Sequence, residues 1–360
     1  MNKPFDIDTL IIGQGLAGSL LAWELRERGE RILVLDDGHQ SASSTAAAGL
    51  LNPVTGQRLV KTAGVDECLP VARACYRALE EVLGCSLLTE KPMWRLFLND
   101  RELEAWERRS TDPGYSAYLG ERLAPAFLQP PFIAPLGGFT QELTGYLDTN
   151  MLLDGIRELL WRSGQYRLQH IDYTALQLEE GGVHYAGITC SRVIFCEGYK
   201  AQHNPWFDWL PFQPAKGEIL SLEIEASLPD AIINAGKWLM PRGGKDYRLG
   251  ATYEREQLNE QPTEAGRNEL LEALPKFLDP VPAYRVSDHR AGVRPNTLDK
   301  QPFVGLHPQW PRLGIFNGFG SKGSLLIPWH AKRFVESLHG ENMLPPEANI
   351  KRYESRLEIE

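Results

Sequence analysis

Residues 9–36, TLIIGQGLAGSLLAWELRERGERILVLD, constrain this chain more than any other segment. An apolar run, a glycine turn, an amphipathic helix and a second apolar run follow one another. The two apolar runs read as strands, and a helix crossing between them makes the strands parallel. Gly13, Gly15 and Gly18 stand in the G-x-G-x-x-G spacing. Gly13 allows the tight turn, Gly15 lets backbone approach a pyrophosphate, and Gly18 lets the helix pack on the strand. Leu16 and Ala17 open that helix, and its first N–H groups face the phosphates. Asp36 closes the second strand, where its carboxylate can accept from both ribose hydroxyls. Together with Asp37 it repels a 2′-phosphate, which disfavours NADP. The turn is read as a dinucleotide site rather than a plain glycine-rich bend.

With 360 residues, 42% of them hydrophobic, the chain can bury a large core and divide into two domains. A net charge of −9 argues against a nucleic-acid surface. The five cysteines show no zinc-like spacing and the eight histidines are scattered, so no metal is expected. An odd number of cysteines suits reduced thiols. No run reaches membrane length and no leader pattern opens the chain, so the expected location is the cytoplasm. Helical spacing recurs in DECLPVARACYRALEEVLG and in DTNMLLDGIRELLWRSG, where Asp148 or Thr149 can cap and Gly164 can stop the helix. Short strand-like pieces occupy 166–198, and longer alternating strands occupy 217–253. A strand, a glycine turn and a helix whose first turn can hold Pro328 come last. The expected class is α/β in two domains. A Rossmann-like domain is assembled from the discontinuous segments 1–85, 145–205 and 286–345. A mostly antiparallel β substrate domain, 86–144 and 206–285, is inserted into it, and 346–360 forms a tail.

Two further stretches separate FAD from NAD. SASSTAAAGLLNP (41–53) offers Ser43, Ser44, Thr45, Ala48 and Gly49, small residues whose backbone can close on an extended ligand. FNGFGSKGSLLIP (316–328) is a second strand–glycine–helix unit carrying Gly318, Phe319, Gly320, Ser321, Lys322, Gly323 and Ser324. A helix N-terminus supplemented by the Lys322 charge suits the negative charge that develops at N1/C2=O of a reduced flavin, and nicotinamide needs no such pole. A serine nucleophile elbow at Ser321 fails because Phe319 stands where glycine is required. In AGVRPNTLDKQPFVG, Arg294 lies between valine and proline, ahead of an apolar run. Its rigid fork suits a carboxylate, either that of a ligand or that of a structural acid such as Asp299 or Asp288. Arg290 shares its face on a regular strand, marking either an acidic substrate or a solvated strand end. His289 and His330 read as structural.

Taken together, IIGQGLAG, SSTAAAGLLNP, VIFCEGYKA, QPAKGEIL, WLMPRGGKDYRLGATYE, AGVRPNTLDKQPFVG and NGFGSKGSLLIP resemble the D-amino-acid oxidase superfamily of flavoproteins. The nearest branches are glycine oxidase and the oxidase domain of the bifunctional enzyme that modifies wobble uridine in tRNA. The resemblance implies FAD, with Ala175, Cys196 and Gly198 among the residues that hold it. Glu197 departs from the family pattern, which has a small or amide residue there. No cysteine follows Cys196, so the covalent flavin link of some relatives is absent and FAD is bound non-covalently. The resemblance also places Leu50 beside the flavin ring, Trp238 and Tyr253 on pocket walls, and Arg294 on the substrate carboxylate. The implied activity is oxidation of the C–N bond of a small amino acid or secondary amine by hydride transfer to flavin N5. The imine then hydrolyses, and oxygen or another acceptor takes the electrons. That chemistry requires no dedicated base, and none stands out. Two alternatives remain: oxidation of a carboxymethylaminomethyl group on tRNA, and flavin binding without turnover.

Overall fold

A computed structural model of the chain describes residues 6–39 and 41–357. Two eight-stranded sheets organise it. In the first, Ile7–Ile12 lies between Ile32–Asp36 and Ile188–Phe195, and all three run parallel. Leu313–Asn317 continues the parallel set on the far side of Ile188–Phe195, and Tyr166–Leu168 does so beside Ile32–Asp36. Helices cover one face: Leu16–Glu27, Val65–Leu83, Thr149–Arg162 and Gly323–Leu338 pack with Ile11 and Val34 in one apolar cluster. Leu10, Ile12, Leu33 and Leu35 point the other way, onto Phe195, Phe207 and Trp209. Burial on both faces explains why Leu10–Ile12, Ile32–Leu35 and Val193–Phe195 are continuous apolar runs rather than alternating ones.

The helix ends follow their sequence signals. The Asp148 carboxylate accepts from the N–H of Met151, and Gly164 takes φ +67° just past the last turn. Pro328 does not lie in the first turn of the last helix, which already begins at Gly323. Proline has no N–H to give the Ser324 carbonyl, and the buried Tyr76 hydroxyl donates to that oxygen instead, at 2.7 Å. The second helix thus repairs the last one.

The second sheet is antiparallel except where Met93–Leu96 meets Ile232–Ala235. Its order runs from Tyr284–Arg294 at one edge through Ala215–Ile224, Asp246–Gly250, Lys237–Gly243, Ile232–Ala235, Met93–Leu96 and Gly138–Gln141 to Leu119–Leu123. Three segments depart from the expected division. A boundary at 286 would cut the strand Tyr284–Arg294, which pairs along its whole length with Ala215–Ile224. Phe207, Trp209 and Leu210 are buried beneath the first sheet rather than the second. The tail is docked: Ile350 is fully buried, and the Val304 N–H donates to the Ala348 carbonyl. In each case an apolar side chain found cover that linear order does not reveal.

Candidate functional site

A cavity of about 400 Å³ lies between the two sheets, lined from the glycine turn at one end to Arg294 and Trp238 at the other. The three turn glycines have different physical roles. Gly13 has φ +98°, and a Cβ there would come within 2.6 Å of the Cys196 carbonyl oxygen. Gly18 does not line the cavity. Its Cβ would lie 1.8 Å from the Gly13 carbonyl oxygen, so it serves packing of helix on strand. Gly15 has ordinary backbone angles, and a Cβ would meet nothing closer than Ser44 Oγ at 3.6 Å. The protein leaves that flank open, and the helix beside it starts with its Leu16 N–H donating to Ser44 Oγ at 3.0 Å. A helix N-terminus over a glycine cradle fits a pyrophosphate.

Asp36 is nearly buried, and its carboxylate accepts from the backbone N–H of Gln14 at 2.8 Å, Gly38 at 2.8 Å and His39 at 3.0 Å. Its chain holds the group rigid at the cavity wall. Asp37 also lines the cavity, 3.5 Å from Lys200 Nζ. At the same end, Glu197 accepts from the Tyr173 hydroxyl at 2.6 Å and from Asn204 Nδ2 at 2.8 Å. Burial pushes its carboxyl up to about 7.

Leu16, Ala17, Ser43, Ser44, Ala48, Gly49, Leu50, Cys196 and Gly198 all line the cavity, as do Phe319, Gly320, Ser321, Lys322, Gly323 and Ser324. Four other predicted residues do not. Thr45 turns its hydroxyl back onto the Ala42 carbonyl, 2.8 Å away. Gly318 is a positive-φ turn residue packed on Thr297. Ala175 is exposed at the end of the single turn Tyr173–Ala175, which sends Tyr173 to the wall instead. Tyr253 is 56% exposed, its ring 5.8 Å from the Arg294 guanidinium, covering that residue rather than facing the cavity.

Among the described residues Arg294 has no structural acid as partner. Asp299 pairs with Arg352 at 2.8 Å and Asp288 with Arg290 at 2.5 Å. The Arg294 guanidinium donates only to the carbonyls of Lys216 and Thr252, each at 3.3 Å, and among the described residues it makes no salt bridge. It lies across Gly217, where a Cβ would come within 2.0 Å of Nη2. Burial lowers its pKa from the usual guanidinium value. Arg290 is a half-exposed partner of Asp288, outside the cavity. The Trp238 ring rests over Gly250 in the same way that Arg294 rests over Gly217. Lys322 caps the last helix at the cavity wall, and burial lowers the pKa of its ammonium. The Cys196 thiol is pushed well above the ordinary range by burial. His330 donates through Nδ1 to the Leu326 carbonyl at 2.8 Å, as a structural histidine does.

Residues the sequence reading did not single out also line the cavity, among them Asn52, Thr55, Ile219 and Asn317. Asn317 Nδ2 donates to the Gly198 carbonyl at 2.8 Å, tying the turn at Gly318 to the end of the strand Ile188–Phe195. Its position directly before Gly318 was the available signal.

Comparison with known proteins agrees with this geometry. The family model described as DAO, FAD dependent oxidoreductase, matches residues 8–337. The bifunctional protein ThiO/ThiG of Synechocystis is 26% identical over 94% of this chain and 52% of its own. The chain therefore spans about half the length of such curated relatives. Glycine oxidase of Bacillus licheniformis is 23% identical over 92% of this chain and 93% of its own. Among solved structures, glycine oxidase from Geobacillus kaustophilus superposes with TM-score 0.80 at 20% identity, covering 94% of this chain and 96% of that one. Iminodiacetate oxidase from Chelativorans gives 0.80 at 22%, covering 96% and 98%. With the glycine cradle, the second helix pole and a family match over nearly all of its length, this chain belongs to the DAO family of FAD-dependent oxidoreductases.

Proposed function

We propose that the chain oxidises the C–N bond of a small amino acid or secondary amine, with FAD held non-covalently. The observation that supports this most directly is Arg294, a largely buried guanidinium on the cavity wall with carbonyl partners but no carboxylate. A cation withdrawn from water at this cost is best explained by an anionic ligand.

Bound FAD supplies a two-electron sink: a hydride leaves the carbon bearing nitrogen, water hydrolyses the imine, and oxygen accepts the electrons as hydrogen peroxide. The protein's own part is orientation. Arg294 presents a two-pronged donor to the substrate carboxylate, and Gly217 beneath it leaves room for the fork. Leu50, Ile219 and Trp238 supply an apolar wall that keeps water from the reacting carbon. Lys322 and the start of Gly323–Leu338 bring positive charge to the cavity wall, where it would favour an electron-rich ring. No carboxylate or histidine is assigned the role of base, because an amine that reacts as the free base needs none.

The net charge of −9 weighs against the tRNA-modifying alternative. The deciding experiment is anaerobic titration of the yellow protein with a panel of amino acids and N-alkyl amines. Bleaching of the flavin band by a subset of the amino acids is expected. Bleaching by uncharged amines alone would remove the carboxylate reading, and no bleaching by any would favour a flavoprotein without turnover.

A further inference from the structure

The cavity wall away from Arg294 carries a neutral polar device that the oxidation itself does not use. Asn52 follows the short strand Leu50–Leu51 and lines the cavity. Its Oδ1 accepts from Gln141 Nε2 at 2.6 Å, and among the described residues nothing accepts from its Nδ2. Gln141 is fully buried, and its Oε1 also lacks a partner among them. A buried amide with an unmet acceptor is costly. Gln141 occupies the acceptor of Asn52, which leaves the Asn52 donor as the end available to the cavity that this residue lines. Thr55 adds a hydroxyl to the same wall. The hairpin that carries it is pinned from behind by Arg95, which donates to the carbonyls of Val54 at 3.3 Å and Gly56 at 3.1 Å. The Arg95 charge is neutralised by buried Glu102 at 2.5 Å. The wall is rigid, uncharged and donor-bearing.

Sheet order sets this wall apart from Arg294. Arg294 belongs to the edge strand, Trp238 to the fourth strand and Gln141 to the seventh. Neighbouring strands lie about 4.8 Å apart. Arg294 reaches inward over one strand, to Gly217, and Asn52 reaches inward from Gln141. The strand of Gly217 is second and that of Gln141 seventh, so five spacings, roughly 24 Å, separate them, more than glycine spans. Ile219 and Trp238 line the cavity between.

We propose that Asn52 is a second polar contact for the substrate, which is therefore an amino acid extended, through its side chain or its nitrogen, to a terminal carboxylate or carboxamide oxygen. This rests on the reading of Arg294 given above. A neutral amide donor opposite a guanidinium selects an acceptor oxygen at a set distance and gives nothing to an alkyl end.

The test uses the FAD-loaded protein and ligands that cannot be oxidised, with Kd read from perturbation of the flavin absorbance. Straight-chain dicarboxylates and their monoamides, from succinate to suberate, are compared with monocarboxylates of equal length. At one length the dicarboxylate or monoamide should bind about five- to tenfold tighter than its monocarboxylate partner, as one good hydrogen bond gives. Whichever of the two binds tighter identifies the terminal group. Asn52→Leu should bring that ratio to one. Asn52→Asp should push the dicarboxylate below the monocarboxylate and spare the monoamide, whose NH₂ can donate to the new acid. FAD content and Tm show that each variant is folded. Equal affinities at every length in the wild type, or a preference that survives Asn52→Leu, would overturn the proposal. Failure of the underlying reading looks different: no carboxylate of any length would bind, or Arg294→Ala would leave monocarboxylate affinity unchanged.

Discussion

Arg294 and Glu197 are both charged groups withdrawn from water, and they differ in how the protein compensates them. Arg294 has carbonyls and a tyrosine ring but, among the described residues, no counter-charge. Arg294→Ala should raise KM about 30- to 1000-fold, as loss of about 2–4 kcal/mol of charge-assisted hydrogen bonding would. FAD content should stay near that of the wild type. Arg294→Lys should recover only part, since an ammonium cannot form the fork. Retained KM in the alanine variant would assign Arg294 to structure. Glu197 is held by two donors, yet burial still pushes its carboxyl up to about 7. The unfolded chain releases that proton near pH 4.3, so the folded state holds it longer. The stability it contributes is complete below pH ~4.3 and is lost as the pH rises to about 7. The Tm of the FAD-free protein should therefore fall relative to Glu197→Gln across that window and run parallel to it above. A constant difference between the two proteins from pH 4.5 to 8 would show that Glu197 is not perturbed.

At the scale of elements, the helices Leu16–Glu27 and Gly323–Leu338 both start at the cavity. Gly15 is required by the ligand rather than by the fold, because its backbone angles suit any residue and a Cβ would meet only Ser44 Oγ. Gly15→Val should fold with an unchanged FAD-free Tm and bind no FAD, measured by absorbance after gel filtration. Gly18→Ala should instead lose the fold itself, since its Cβ would overlap the Gly13 carbonyl. At the other pole, Lys322→Met should retain FAD and lower its reduction potential, by about 30 mV for each 1.4 kcal/mol of reduced-state stabilisation removed. An unaltered potential by dye-coupled titration would place the ammonium away from the ring.

Across the whole molecule, the cavity is lined by residues of both sheets, so a ligand that fills it links them. FAD at a hundredfold its Kd should add about 2.7 kcal/mol to stability and raise Tm by several degrees. Acid precipitation should leave all of the flavin in the supernatant, because the wall holds no late cysteine and the Cys196 thiol is kept protonated by burial. Flavin in the pellet would show a covalent link.

The turn at Gly13 and the strands around it were legible because local sterics dictate them: only glycine tolerates φ +98° against the Cys196 carbonyl. The helix beginning at Thr149 was legible for a similar reason, since Asp148 and Gly164 satisfy its ends within the chain itself. The second pole at Lys322 followed from the same strand–glycine–helix grammar. Other features depend on partners far away in the chain. Pro328 sits inside a helix because Tyr76 supplies the donor that proline lacks. The strand Tyr284–Arg294 joins the second sheet because Ala215–Ile224 offers it an open edge. Tyr253 was expected on a pocket wall and instead covers Arg294 from outside, since the strand Asp246–Gly250 ends before that residue. Asn52 was not singled out within SSTAAAGLLNP, because the role proposed for it depends on Gln141, a buried amide on a strand of the second sheet. The sequence by itself determined the dinucleotide turn, the second helix pole and the arginine that faces the cavity. Only the tertiary structure decided which acids were already taken, and which polar atoms were left to meet a substrate, because hydrogen-bond satisfaction is a property of the packed chain rather than of any segment.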